Sequence, residues 1–197
     1  DVNNIIKKIL KELDYDYKEY SPGFIRNKIS FIKNEMLSDE AVDKFLSSPP
    51  EQVAAKVYFE YQKVLKRNNA VDFDDLLKMP VELFLEDKEV LDYYQEKYQY
   101  ILIDEYQDTN EVQYKMVKKL AEKYRNLFVV GDINQSIYGF RWSNYRNILN
   151  FEKDYPEAKS ITLNQNYRST NIILNAANSV IKNNTESKEV NLFSELG

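Results

Sequence analysis

The chain has no cysteine and no histidine. The first absence excludes disulfides, zinc–thiolate sites and a cysteine nucleophile. The second removes imidazole catalysis and most metal cages, leaving carboxylates, the donors that suit Mg²⁺. Glycine is nearly as scarce: Gly23, Gly131, Gly139 and Gly197 are all there are. None precedes Lys-Ser or Lys-Thr, so the chain holds no G-x-x-x-x-G-K-[ST] loop, in which backbone amides and a lysine cradle phosphates. No apolar run approaches the roughly 20 residues of a membrane span, and no secretory signal pattern is present. Internal repeats and low-complexity linkers are missing too. The net charge of −5 argues against indiscriminate binding of polyanions. What remains is 197 residues, 43% of them hydrophobic, enough for a core in one domain or two small ones.

The richest stretch is Tyr100-Ile101-Leu102-Ile103, which runs straight into Asp104-Glu105-Tyr106-Gln107-Asp108. A short apolar run of this kind reads as a parallel strand buried on both faces. In open α/β sheets, ligands bind beyond the carboxyl ends of such strands. Two acids at that place suit a metal–nucleotide site, one for Mg²⁺ and one for a water. A strand end followed by a solvated acidic turn has the same pattern, and the run alone does not separate the two readings.

A second apolar run, Asn126-Leu127-Phe128-Val129-Val130, ends in Gly131-Asp132. Between the runs, Val112, Met116, Val117, Leu120, Ala121 and Tyr124 fall on one helical stripe, and Asp108 with Glu111 resembles a capping box at its start. Strand, helix, strand predicts a βαβ unit with a right-handed crossover. Ser160-Ile161-Thr162-Leu163 is a third candidate strand. It leads into Asn164-Gln165-Asn166-Tyr167-Arg168-Ser169 and a helical stripe of Ile172, Ile173, Ala176, Val180 and Ile181. Three strand ends in series therefore deliver polar side chains: Asp104 and Glu105, then Asp132 and Gln135, then Gln165, Tyr167 and Arg168.

The first ~98 residues read as helices with apolar stripes. Ile5, Ile6, Ile9, Leu10 and Leu13 form one. Ser21-Pro22 caps and opens the next, with Phe24, Ile25, Ile29, Ile32 and Met36. Ser47-Ser48-Pro49-Pro50 is a break. Val53, Val57, Tyr61, Val64 and Leu65 make a further stripe, ended by Asn68-Asn69. Asp72, Asp74 and Asp75 read as a capped, solvated helix start. Pro80 should start, kink or end a turn in the following helical pair. Residues 182–188 are polar and read as a loop, with the tail to Gly197 poorly fixed.

Asp104-Glu105-Tyr106-Gln107-Asp108, then Gly131-Asp132-Ile133-Asn134-Gln135-Ser136-Ile137-Tyr138-Gly139-Phe140-Arg141, then Gln165-Asn166-Tyr167-Arg168-Ser169 resemble three successive signature motifs of UvrD/Rep-like DNA helicases of superfamily 1. Val71-Asp72-Phe73-Asp74-Asp75-Leu76-Leu77 is similar to another stretch of that family, and order and spacing fit. The resemblance spans Val71 to Ser169, about half the chain. It implies an α/β fold: a mostly helical inserted subdomain followed by part of a RecA-like parallel-sheet core of the P-loop NTPase type. The implied boundaries are 1–98 for the helical subdomain of the first motor domain, 99–164 for its RecA-like segment, and 165–197 for the start of the second motor domain.

By the same resemblance, Asp104 holds Mg²⁺, and Glu105 positions or deprotonates the attacking water during ATP hydrolysis. Gln135 senses the γ-phosphate. Arg168 sets its guanidinium fork on that phosphate. Tyr167 stacks on adenine. Tyr138 and Phe140 stack on bases of single-stranded DNA, which tolerates any sequence because every base has a π-face. Arg141 pairs with a DNA phosphate. With 16 Tyr and 10 Phe in the chain, core packing is the other reading of Tyr167 and Phe140, and a surface ion pair that of Arg168. Gln107 receives no chemical role, and Asp108 is read only as a helix cap.

The chain departs from the family pattern in two places. Trp142 stands where the family usually has glycine, followed by Ser143. It adds a stacking surface over the DNA strand or plugs a subdomain seam. Ile133-Asn134 replaces residues that are often acidic, while Asp132 and Gln135 keep the pattern. The family's P-loop lies upstream of these motifs and a further arginine motif downstream. The chain lacks both and begins without Met. It therefore reads as a central piece of a longer ATP-dependent helicase that translocates 3′ to 5′ on single strands, unwinds duplex DNA, serves repair or replication, and is cytoplasmic and nucleoid-associated. Its partners would be single-stranded and duplex DNA and the remaining helicase domains, with no membrane. Alone it should hydrolyse no ATP. Other readings are the helicase part of a recombination helicase–nuclease, a non-hydrolysing scaffold derived from a motor, and a nucleotide-dependent switch without unwinding.

Overall fold

Helix boundaries follow the punctuation of the sequence. The computed structural model describes residues 2–184 and 192–196. The chain forms helices α1 (Val2–Glu12), α2 (Pro22–Asn34), α3 (Asp39–Phe45), α4 (Pro49–Arg67), α5 (Asp75–Glu86) and α6 (Lys88–Lys97). Strand β1 (Ile101–Ile103), helix α7 (Glu111–Ala121) and strand β2 (Leu127–Val129) follow, then α8 (Arg146–Asp154) and α9 (Asn171–Ile181). Short 3₁₀ turns at Tyr106–Asp108, Ile133–Gln135 and Gly139–Arg141 carry the loops between them. Among the described residues no helix is long and apolar enough to cross a membrane.

Proline at the first helical positions opens α2 and α4, where its missing N–H costs nothing. At the start of α4, Glu51 Oε2 accepts from the Ser48 hydroxyl (2.7 Å) and its Oε1 from Lys28 Nζ (2.6 Å). These hydrogen bonds, that of Lys28 first, pull the Glu51 carboxyl down to about 2. Asn68 and Asn69 end α4, with Asn69 in the left-handed region (φ 47°). Pro80 lies inside α5.

The chain divides into two compact units. One comprises Asp1–Leu102 and Asn110–Phe128. Its core joins α1, α2, α3 and α4 through Ile6, Ile9, Leu10, Ile25, Ile29, Ile32, Val42, Val57 and Tyr61. Helices α5, α6 and α7 pack on one another, and α2 touches α5 and α7. Asp72, Asp74 and Asp75 are not a solvated helix start. Lys33 is fully buried, and its ammonium meets Asp72 Oδ2 at 2.7 Å and Asp75 Oδ1 at 2.8 Å. Tyr61 Oη donates to Asp72 Oδ2 (3.1 Å), and burial followed by the Asp72 charge pushes the Tyr61 hydroxyl above its ordinary value, so it stays a donor. Asn34 Nδ2 donates to Asp74 Oδ1 (2.9 Å). No local pattern in the sequence supplies a partner for these acids, because Lys33 and Asn34 lie about forty residues upstream.

The second unit comprises Ile103–Thr109 and Val129–Gly197. Tyr106 is buried and meets Phe151 edge-on, with ring centroids 5.9 Å apart. Buried Asn147 of α8 donates to Thr109 O and Thr109 Oγ1, both at 3.1 Å. Helix α8 thereby lies on the Tyr106–Asp108 turn.

The βαβ unit forms as expected. Ile101 N–H donates to Asn126 O (3.0 Å) and Val130 N–H to Ile103 O (2.8 Å), so β1 and β2 run parallel. Four expectations are corrected. The strands are not buried on both faces: Leu102 is 74% and Phe128 59% exposed. Ser160–Leu163 forms no strand, and Ile161 and Leu163 are each 77% exposed. Without a neighbouring ladder, an alternating run has nothing to pair with. Helix α7 is capped by Asn110 with Gln113, two residues beyond the expected Asp108–Glu111 box, because Asp108 is used up in the 3₁₀ turn. The tail is anchored over its described part. Phe193 N–H donates to Asn164 O (3.1 Å), Asn166 N–H to Phe193 O (2.8 Å), and Asn171 and Ser194 exchange two bonds. Of the expected loop 182–188, residues 182–184 form a turn at the end of α9 and residues 185–188 lie outside the described residues, as does Gly197.

Candidate functional site

The carboxyl ends of β1 and β2 place the acidic and amide side chains on adjacent turns of the second unit. Val130 links them: its N–H donates to Ile103 O, and its carbonyl accepts from Tyr106 N–H (2.9 Å). The chain reverses at Glu105, which sits in the left-handed region (φ 51°, ψ 43°). That conformation costs a residue with a Cβ roughly 1–2 kcal/mol and is held here by the turn around it. Asp104 Oδ1 accepts the Glu105 N–H (2.9 Å), and both acids are exposed.

Gln107 ties the turns together. It is only 1% exposed. Its Nε2 donates to Glu105 Oε2 (2.8 Å), and its Oε1 accepts from the Asp132 N–H (3.0 Å). Asp132 Oδ1 accepts from Asn134 N–H (2.9 Å) and Oδ2 from Gln135 Nε2 (2.7 Å). One hydrogen-bonded path thus runs from Glu105 through Gln107 and Asp132 to Gln135. Gly131 is required by close approach: a Cβ there would stand 2.7 Å from Gln107 Oε1 and 3.0 Å from Ile148 Cδ1. Asp108 caps nothing. Burial first, then the Glu105 charge, raises its carboxyl above the ordinary range, and its buried Oδ1 has no hydrogen-bond partner.

The Ile133–Gln135 turn leads within three residues into an exposed aromatic platform. The Tyr138 and Phe140 rings lie 5.9 Å apart at 49°, and Phe140 is 74% exposed. The Arg141 guanidinium covers both rings, 5.4 Å from the Tyr138 centroid and 5.5 Å from that of Phe140. Such a cation–π arrangement holds the guanidinium at the platform while leaving it chargeable toward a phosphate. Trp142 is half-buried and left-handed (φ 66°, ψ 16°), so the position where glycine was expected does need a positive φ. Gly139 does not, and a Cβ there would meet nothing within 4 Å.

Tyr167 and Arg168 occupy the turn before α9. Asn166 Oδ1 accepts the N–H groups of Arg168 (2.9 Å) and Ser169 (2.8 Å), which shapes the turn. Tyr167 is 77% exposed, and its Oη donates to Gln165 Oε1 (2.9 Å). Among the described residues no hydrogen bond joins Tyr167 or Arg168 to the Glu105–Gln135 path. The structure therefore brings Asp104, Glu105 and Gln135 together, sets Tyr138, Phe140 and Arg141 on a continuous platform, and leaves Tyr167 and Arg168 on their own turn. Sequence reasoning missed Gln107. The usable signal was a glutamine two residues after an acid in a turn, a neutral side chain long enough to donate to a carboxylate and accept from a backbone N–H at once.

No group of three or more acids or imidazoles converges among the described residues. Asp104 and Glu105 offer hard oxygen donors at an exposed turn. That set fits a Mg²⁺ held partly by phosphate oxygens, the usual arrangement for this ion, and does not make an all-protein cage.

The UvrD/REP helicase N-terminal domain family matches residues 1–156. The ATP-dependent DNA helicase PcrA of Staphylococcus aureus is 52% identical to the chain over 193 residues, which is 98% of this chain and 26% of that protein. PcrA of Staphylococcus epidermidis is 51% identical over 193 residues, with the same coverage of 98% and 26%. The chain spans about a quarter of the length of these curated relatives.

Proposed function

Because this chain belongs to the UvrD/REP helicase family, we propose that it is part of an ATP-dependent DNA helicase, coupling ATP hydrolysis to 3′-to-5′ translocation on single-stranded DNA and to duplex unwinding. In this reading residues 1–98 are the helical inserted subdomain and 99–164 the RecA-like segment of the first motor domain, and 165–197 open the second. ATP binds between the motor domains, and the phosphate-cradling loop comes from the longer parent chain. The exposed side chains of Leu102 and Phe128 support this, since apolar strand residues left in water are what further strands would cover.

The Asp104 carboxylate would hold Mg²⁺, whose chemistry there would be to offset charge on the phosphate oxygens. Glu105 orients the attacking water and takes its proton. The Gln135 amide and the Arg168 guanidinium read the γ-phosphate, the latter with a planar pair of donors. Tyr167 covers the adenine. Tyr138 and Phe140 stack on bases of the single strand, Arg141 meets its backbone, and Trp142 borders the stack.

The observation that carries this reading is continuity. The hydrogen-bonded path from Glu105 through Gln107 ends on Asp132 and Gln135, which share one ten-residue stretch, Asp132 to Arg141, with Tyr138, Phe140 and Arg141. A change at the γ-phosphate that moves Gln135 moves the platform as well. The test is strand-separation by the full-length parent on partial duplexes with a 3′ or a 5′ single-stranded tail. Unwinding that needs ATP and the 3′ tail is expected. Equal unwinding from both tails, or none with ATP, would refute the assignment.

A further inference from the structure

We infer that Gln107 is a positioning residue for ATP hydrolysis, its carboxamide clamping the Glu105 carboxylate to the backbone of Asp132 so that the water-handling acid and the Gln135 turn hold one geometry. The inference rests on the hydrolytic role proposed above for Glu105.

The clamp has a single workable orientation. A carboxylate only accepts and a backbone N–H only donates, so Nε2 must face Glu105 (2.8 Å) and Oε1 must face Asp132 (3.0 Å). A flipped amide would set two acceptors and two donors against each other. The side chain has nowhere else to go, being 1% exposed. Its backbone is pinned as well, with the Ser136 hydroxyl donating to Gln107 O (3.3 Å) and the neighbouring Tyr106 N–H bound to Val130 O (2.9 Å). Gly131 leaves the space into which Oε1 projects, since a Cβ would come within 2.7 Å of it. Glu105, by contrast, is exposed and on a left-handed turn, and the hydrogen bond described for its carboxylate is the one from Gln107. Without that donor the carboxylate rotates freely in solvent. No other single side chain joins the two turns with the same economy: asparagine is one methylene too short, and a charged group would alter the base it holds.

The test uses the full-length parent protein with single-stranded DNA and compares Gln107→Met, Gln107→Glu and Glu105→Gln. Methionine keeps the volume and loses both hydrogen bonds. Glutamate keeps the acceptor for Asp132 and turns a second carboxylate on Glu105. With Gln107→Met, kcat should fall on the order of 10²-fold, the cost of misplacing a reacting group by about 1 Å. KM and the binding of a fluorescent ATP analogue should stay within about threefold, because substrate contacts are intact. With Gln107→Glu, kcat should fall at least as far, since a like charge pushes the Glu105 carboxylate out of the clamped position, and analogue binding should again stay within about threefold. A general packing role would lower stability and analogue binding in both variants along with kcat, which would overturn the inference. Gln107 variants at wild-type kcat, alongside a Glu105→Gln protein that has lost turnover, would overturn it while leaving the hydrolytic reading intact. Wild-type turnover by Glu105→Gln would overturn both.

Discussion

Removing Lys33 should unfold the helical unit more readily than any surface change, and with a distinctive dependence on pH. Its side chain is fully buried between Asp72 and Asp75, with ion pairs of 2.7 and 2.8 Å, and its ammonium lies 5.2 Å from the Tyr61 ring centroid. Asp72 and Asp75 are themselves only 14% and 5% exposed at the side chain. Lys33→Met keeps the bulk and strands two carboxylates, a loss of roughly 3–5 kcal/mol for breaking a buried pair by removing one partner. In wild type, burial works to raise the Asp72 carboxyl, but the Lys33 hydrogen bond and the Asp75 N–H outweigh it and hold it below its ordinary value. Its contribution to stability is therefore present above the unfolded pKa of about 4 and is lost as pH falls through the lower folded value. Lys33→Met reverses the sign. Burial and the neighbouring carboxylate remain, the folded pKa rises above the unfolded one, and the variant regains stability as pH falls from 7 toward 5. The assay is urea unfolding followed by far-UV circular dichroism at pH 7 and pH 5. Adding Asp72→Asn and Asp75→Asn should recover most of the loss at pH 7, since replacing a whole buried ion cluster is often nearly neutral. A Lys33→Met cost under about 1 kcal/mol at pH 7, typical of an exposed pair, or a cost that grows on acidification, would refute the reasoning.

At Trp142, glycine should be more stable than alanine by about 1 kcal/mol in thermal melts. Both variants lose the indole, and only alanine keeps the penalty of a Cβ at φ 66°. Equal stability would mean that the left-handed turn relaxes at no cost. Phe140→Ala in the full-length parent should raise the single-stranded DNA concentration for half-maximal ATPase stimulation by roughly tenfold, the lower part of the range for one stacked base, and should change DNA-free turnover less.

What was legible in the sequence was mostly local. Helical stripes, the Ser21-Pro22 start, the break before Pro49, the Asn68-Asn69 stop and the parallel βαβ unit depend on residues within a few positions of one another, and they formed as read. What was not legible depended on distant partners. Asp72 and Asp75 look like a solvated cap until Lys33 is folded against them. Gln107 looks inert until Asp132, 25 residues on, brings its N–H. Ile161 and Leu163 alternate like a strand, yet alternation sets a face and does not supply a partner. Within the candidate site, the motif residues Asp104, Glu105 and Gln135 come together through a side chain that the motifs did not single out. Trp142 marked itself as unusual by residue type, and its positive φ gives that departure a backbone meaning.

The central claim is that Glu105 handles the water in an ATP-driven motor. It is tested most directly by Glu105→Gln in the full-length parent, with single-stranded DNA present, reading binding of a fluorescent ATP analogue and steady-state turnover side by side. The account predicts analogue binding within about threefold of wild type and turnover lower by roughly 10²–10⁴-fold, the range for losing a general base. Turnover at the wild-type rate would contradict it.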